Sequence, residues 1–266
     1  GLLGETPPTP ISVTGAILEV SEGKTLELAG GDVTLTGATL AAPSGVISIR
    51  GGSILVEDGI VDASAAGEDA AGTISVAASE SVVVDRGLLV VDAFGTRDAG
   101  TLTIGAESVI IAGGGLGAST GGGVAGHIGI DARSVEVSDS FVFAGAFGEG
   151  AGGTIDIEAD DLIIRGISPA KGIDVGTHGS GKGGTITIGE VAAPLRSLTL
   201  SDGGYVSAAG YGSGNAGSIT IAAGSLLVHG ASPAVGSNIS VDTQGGGDAG
   251  TISIDAGGHI VTDGGF

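Results

Sequence analysis

Gly72-Thr73-Ile74-Ser75-Val76 decides the reading of this chain, because the chain repeats it. Gly100-Thr101-Leu102-Thr103-Ile104, Gly126-His127-Ile128-Gly129-Ile130 and Gly153-Thr154-Ile155-Asp156-Ile157 follow. So do Gly184-Thr185-Ile186-Thr187-Ile188, Gly217-Ser218-Ile219-Thr220-Ile221 and Gly250-Thr251-Ile252-Ser253-Ile254. Upstream, Gly45-Val46-Ile47-Ser48-Ile49 and a looser Gly23-Lys24-Thr25-Leu26-Glu27-Leu28 belong to the same series. Successive starts lie 22, 27, 28, 26, 27, 31, 33 and 33 residues apart. A period of this size marks a stacked array, in which each unit buries its apolar face against its neighbours.

The repeat from Gly72 to Ala99 shows the anatomy of one unit. Ile74 and Val76 alternate with polar Ser75, the period-two signature of a strand. A second short strand is expected at 81–84, ended by Asp85-Arg86-Gly87, and a third at 88–93. Phe94 to Ala99 turns the chain back to the next glycine. These features predict an all-β fold: a single-stranded right-handed parallel β-helix (a β-solenoid) with three short strands per rung and about nine rungs. At a rise of about 4.8 Å per rung the rod would be about 40 Å long. No sustained i, i+3, i+4, i+7 pattern occurs that would give a helix, including one to cap either end.

Two columns of apolar pairs support the stacking. The first-strand pairs run from Ile47/Ile49 and Ile74/Val76 through to Ile252/Ile254. The second-strand pairs run from Ile54/Val56 and Val82/Val84 through to Leu226/Val228. Each such side chain contributes on the order of 1.5–3 kcal/mol when buried, before entropy is counted. The glycines, 56 in all, gather at the expected corners, such as Gly67, Gly95, Gly148 and the runs 179–184, 210–217 and 245–250. Positive φ and close stacking of rungs both favour glycine there. Gly121-Gly122-Gly123 and Gly245-Gly246-Gly247 precede strands, but no helix and no Gly-Lys-Ser/Thr follows, so they do not read as phosphate loops.

Residues 1–22 read as a Pro-containing extended entry segment with the first strands, since Pro7, Pro8 and Pro10 cannot donate to a ladder. The β-helix is expected over 23–266, with loop insertions near 168–172, 190–197 and 232–238. The lack of a leading Met, of a signal-like start and of a complete final repeat suggests a segment of something longer.

Composition narrows the function. With 30 acidic against 9 basic residues, nucleic acid and anionic lipid are disfavoured as partners, and an acidic surface is expected to keep an apolar chain soluble. No apolar run approaches the roughly 20 residues of a membrane span. Absence of cysteine excludes disulfides and thiolate metal sites.

Candidate chemistry is sparse. His127, His178, His229 and His259 show no zinc-binding spacing and read as packed or solvated; the register of His259 points it inward. Parallel β-helices are often polysaccharide lyases or hydrolases, which need paired carboxylates or a calcium-plus-Arg site. Asp62 and Asp92 are candidates for equivalent third-strand positions one rung apart, and Asp139, Asp202 and Asp263 for a second set. Without convergent basic or aromatic partners, these read as turn and edge residues. Phe141, Phe143 and Phe147 cluster in one repeat and Tyr205 with Tyr211 in another, which reads as packing or as a glycan-contact surface. Gly246-Gly247-Asp248-Ala249-Gly250 has the composition of a calcium nonapeptide but not its spacing. No catalytic, cofactor-binding or metal-binding residue is assigned, and only nonspecific divalent-cation binding by the acidic surface is expected.

Gly214-Asn215-Ala216-Gly217-Ser218-Ile219-Thr220-Ile221 carries a resemblance. So do Pro10-Ile11-Ser12-Val13 and Gly23-Lys24-Thr25-Leu26 with Gly30-Gly31-Asp32-Val33. The chain resembles the repeat regions of large filamentous haemagglutinin-like exoproteins of cyanobacteria and other environmental bacteria, over nearly its whole length. The resemblance implies two-partner secretion through an outer-membrane pore, an extracellular or cell-surface location, and non-enzymatic adhesive or structural work. A stalk segment contacting a glycan or protein receptor, and a fibre subunit stacking end to end, both remain open; a polysaccharide-active enzyme is a distant third.

Overall fold

The computed structural model describes residues 9–65, 69–166, 171–230 and 236–263. Among these the regular structure is entirely strand, and every strand-to-strand ladder is parallel. Two sheets run the length of the molecule, one of 13 strands and one of 9. Each strand pairs with its equivalent one repeat away, so the hydrogen bonds point from repeat to repeat. This is the solenoid-like parallel architecture expected from the sequence.

Registers follow the motif. Ile47, Ile74, Leu102, Ile128, Ile155, Ile186 and Ile219 form one continuous inward column, residue paired on residue. Ile54, Val82, Val109, Val135, Leu162, Leu198 and Leu226 form a second. The 9-stranded sheet supplies a third, including Leu40, Val61, Leu89, Leu116, Val142, Ile173 and Val206. All of these side chains are buried in one core. Strands at Ile11–Thr14 and Ile17–Glu19 already join the ladders, pairing with Val33–Thr36 and Thr39–Ala41.

The strand division differs from the expectation. The first and second segments of a repeat run on as one long strand in Val46–Glu57, Thr73–Asp85, Thr101–Ala112, His127–Ser138, Ser218–His229 and Thr251–Asp263. They separate at Thr154–Glu158 and Asp161–Arg165, and again at Thr185–Ile188 and Leu195–Ser201. Backbone pairing carries on between the two apolar pairs, as in Gly105 with Asp131 and Ala106 with Ala132, so no loop is needed there. Where 77–80 carries one residue more than its neighbours, a register irregularity between Gly105 and Ser108 absorbs it. The third segment is shorter than expected: Leu88–Val90 is strand, and Ala93 pairs separately with Ala65 and Thr120.

Two kinds of corner explain the glycines. Between the second and third segments several repeats place a residue in the left-handed conformation: Gly37 (φ 57°), Asp58 (50°), Arg86 (51°), Gly113 (66°), Asp139 (49°) and Asp202 (54°), the last followed by Gly203 (91°). Glycine is optional there. The repeat-start glycines behave differently, because none of them beyond Gly23 has positive φ. Instead, a Cβ on Gly72, Gly100, Gly126, Gly153, Gly184, Gly217 or Gly250 would fall within 3.0 Å of the carbonyl oxygen of the preceding repeat's glycine. Stacked backbones, not unusual dihedrals, make these glycines obligatory. Gly148, Gly179, Gly212 and Gly245 form a second such ladder, and Gly150, Gly181, Gly214 and Gly247 a third. Gly67 lies outside the described residues.

The insertion expected at 190–197 is a tight turn in which Glu190 and Ala193 pair antiparallel. Those near 168–172 and 232–238 fall largely outside the described residues. Among the described residues no helix is long and apolar enough to cross a membrane.

Candidate binding groove

The aromatic residues that the sequence divides between two repeats come together on the outer face of the 9-stranded sheet. In Phe141–Phe143 the central Val142 is buried, which turns the two phenylalanines outward. The same alternation turns out Gly172 and Asp174 around Ile173, and Tyr205 and Ser207 around Val206. Phe141, Gly172 and Tyr205 therefore stand in one outward row, and Phe143, Asp174 and Ser207 in the next. The rows bound an open groove of about 540 Å³, continued by Asn238 and Ser240.

Glycine shapes the groove. The Phe141 ring lies over Gly115 of the preceding repeat, where a Cβ would meet it within 3.0 Å. Phe143 likewise covers Gly145. Gly172 leaves no side chain between Phe141 and Tyr205.

A stack of rings closes one side. Phe147, His178 and Tyr211 follow the paired residues Ala146, Thr177 and Gly210. Their ring centroids are 5.2 and 4.8 Å apart with interplanar angles of 25° and 22°. Phe143 meets Phe147 at 5.6 Å. At the other side, the Lys171 ammonium lies 5.9 Å from the Phe141 ring centroid.

Asp174 is the polar centre, with only 9% of its surface exposed. Its Oδ1 accepts the Gly176 N–H at 2.7 Å, and the Ser207 hydroxyl donates to the same carboxylate. Burial pushes its pKa above the usual carboxylate range, against the opposing pull of those two donors and of nearby His178. Burial first, and then the Asp174 charge, raise the pKa of Tyr205 and Tyr211.

The carboxylates singled out as possible pairs are not equivalent. Asp62 pairs with Val90, and the residue opposite Asp92 is Ser64, so the two aspartates are two positions out of register. The sequence count fails because Asp62 is the last residue of the strand Ile60–Asp62, whereas Asp92 lies two residues past the end of Leu88–Val90. Asp92 is itself a structural acceptor: Ser119 donates to its Oδ1 from N–H at 2.6 Å and from Oγ at 2.8 Å, and burial raises its pKa. Asp139 and Asp202 occupy left-handed corners, whereas Asp263 pairs with His229, one residue off that row.

Among the histidines, His127 is on the outer face with Nδ1 3.6 Å from an Asp156 carboxylate oxygen. His229 occupies the row of Arg165 and Ser201. His259 was expected to point inward, but it pairs with Ser225 in an outward row and is exposed; Ile260 beside it takes the inward position. Asp248 donates its N–H to Asn215 Oδ1 at 2.9 Å, tying the glycine loop of one repeat to the next. Among the described residues no group of three or more His, Asp or Glu is placed to hold a metal ion.

Surface charge is paired locally. The Arg86 guanidinium reaches Asp58, Asp85 and Glu57, holding Asp58 below its usual pKa, and Arg196 with Ser197 does the same for Asp161. Comparison with family models, with curated proteins and with solved structures finds no match for this chain.

Proposed function

We propose that this chain is a non-catalytic structural and adhesive segment of a secreted, haemagglutinin-like surface exoprotein. In this reading the solenoid winds right-handed, in about nine rungs, and serves as a stiff stalk outside the cell. Right-handedness follows from the crossover preference of parallel strands. Passage through an outer-membrane pore and the extracellular location rest on the resemblance of the repeats. The observation that carries the reading is the single core running through every parallel ladder. Such an array is built for length and surface.

A fibre built by end-to-end stacking is the second reading, favoured by the pairing itself: every strand-to-strand ladder among the described residues is parallel and runs from repeat to repeat, a pattern that another copy can continue. Negative-stain electron microscopy across a concentration range tests both. Short single rods at every concentration support the stalk, and filaments that lengthen with concentration support the fibre. Compact globular particles would overturn both.

A further inference from the structure

We infer that the groove between Phe141 and Tyr205 binds a neutral, extended saccharide chain lying along the solenoid axis, without cleaving it. The inference deepens the adhesive reading, on which it rests, by naming the ligand class.

The groove is periodic, and so is the ligand it suits. Rungs stack at about 4.8 Å, so the Phe141 and Tyr205 rows two rungs apart are roughly 10 Å from each other along the axis. That is close to the length of two hexose units in an extended chain. Phe141 and Tyr205 offer apolar ring surface at each end of this span, and Gly172 keeps the floor between them low. Aromatic surface suits the C–H faces of equatorially substituted sugars. The parallel row of Asp174, Ser207 and Ser240, with Asn238, supplies acceptors and donors for their hydroxyl edges. Rings beside polar groups, repeated along one line, match a polymer with apolar faces and polar edges.

Charge selects within that class. A chain of net charge −21 with a carboxylate at the groove centre repels uronate or sulfated glycans. A compact organic cation would meet the Lys171 ammonium already over Phe141. A neutral saccharide meets neither obstacle. Asp174 cannot perform two-carboxylate hydrolysis by itself, because a second carboxylate across the groove is needed and none lines it among the described residues.

The chain carries its own reporter. Both of its tyrosines, Tyr205 and Tyr211, line the groove, and it contains no tryptophan. Titration with cellohexaose should change tyrosine fluorescence saturably, with calorimetry giving the same midpoint. Phe141→Ala should weaken binding about tenfold, whereas Phe94→Ala, at an exposed ring outside the groove, should leave it unchanged. If Phe141→Ala does not fold, Asp174→Asn keeps the groove's shape and should still weaken binding. Polygalacturonate and tetramethylammonium should not compete. Absence of cellohexaose binding, or binding unaffected by these groove variants, overturns the inference while leaving the rod reading intact. Shortened products from cellohexaose would overturn both it and the non-catalytic reading.

Discussion

Gly153 stacks so closely on Gly126 that a Cβ on Gly153 would come within 3.0 Å of the Gly126 carbonyl oxygen. The two repeat-start glycines are thus one structural unit, and the same relation recurs down the solenoid. Gly153→Ala should destabilise the fold by about 1–3 kcal/mol, because only a backbone shift can relieve the clash. Urea unfolding of the variant, with the midpoint lowered, is the check.

Space and dihedral angle can be separated at two other glycines. A Cβ on Gly105 or on Gly37 meets nothing within 4 Å, but Gly37 has φ of 57° and Gly105 lies within the strand Thr101–Ala112. Gly105→Ala should leave stability unchanged or raise it by up to about 1 kcal/mol. Gly37→Ala should lower it by about 1–2 kcal/mol, the cost of a left-handed residue with a side chain. Melting temperatures moving in the same direction would contradict this account.

Ile155 is fully buried between Ile128 and Ile186. Ile155→Ala should cost about 2–5 kcal/mol. Because each repeat touches its neighbours, hydrogen exchange should accelerate most in the strands flanking 155, and less towards the ends of the array. Uniform acceleration along the chain would refute that local coupling.

Asp174 sets an acid-side dependence of opposite sign to that of an ordinary paired carboxylate. Its folded-state pKa is raised by burial, so its stabilising contribution is complete below the unfolded carboxylate pKa and is lost as pH rises through the folded value. Asp174→Asn, whose amide oxygen can still accept the Gly176 N–H, should therefore be more stable than the parent at pH 7. The difference should shrink as pH falls through the raised pKa. Denaturation midpoints measured at pH 7 and near pH 4 decide it.

The fold was legible because its rule is local: glycine, then an alternating apolar pair, repeated. Ile47 to Ile219 fall into the expected column without exception. The third segment was harder, since counting forward from a glycine accumulates every insertion. Counting backward from the next glycine avoids them. Phe141, Gly172, Tyr205 and Asn238 each stand 12 positions before a repeat glycine, and Phe147, His178 and Tyr211 each stand 6 before one. The same count would have placed Asp174 beside Phe143 and Ser207, and Asp62 apart from Asp92. Burial of Asp174 was not legible, because it depends on how the neighbouring rings lean over their glycines.

The direction of the ladder has a mechanical consequence. Hydrogen bonds between repeats lie along the long axis, so tension applied from end to end pulls each strand off its neighbour rather than sliding it past. A rod of this construction yields by peeling, one coil after another, and each coil released lets out 26 to 33 residues over most of its length. At roughly 3.3–3.6 Å per extended residue, every such step adds about 90–120 Å of tether. A rod under load would therefore lengthen in stages while the coils still wound kept their packing.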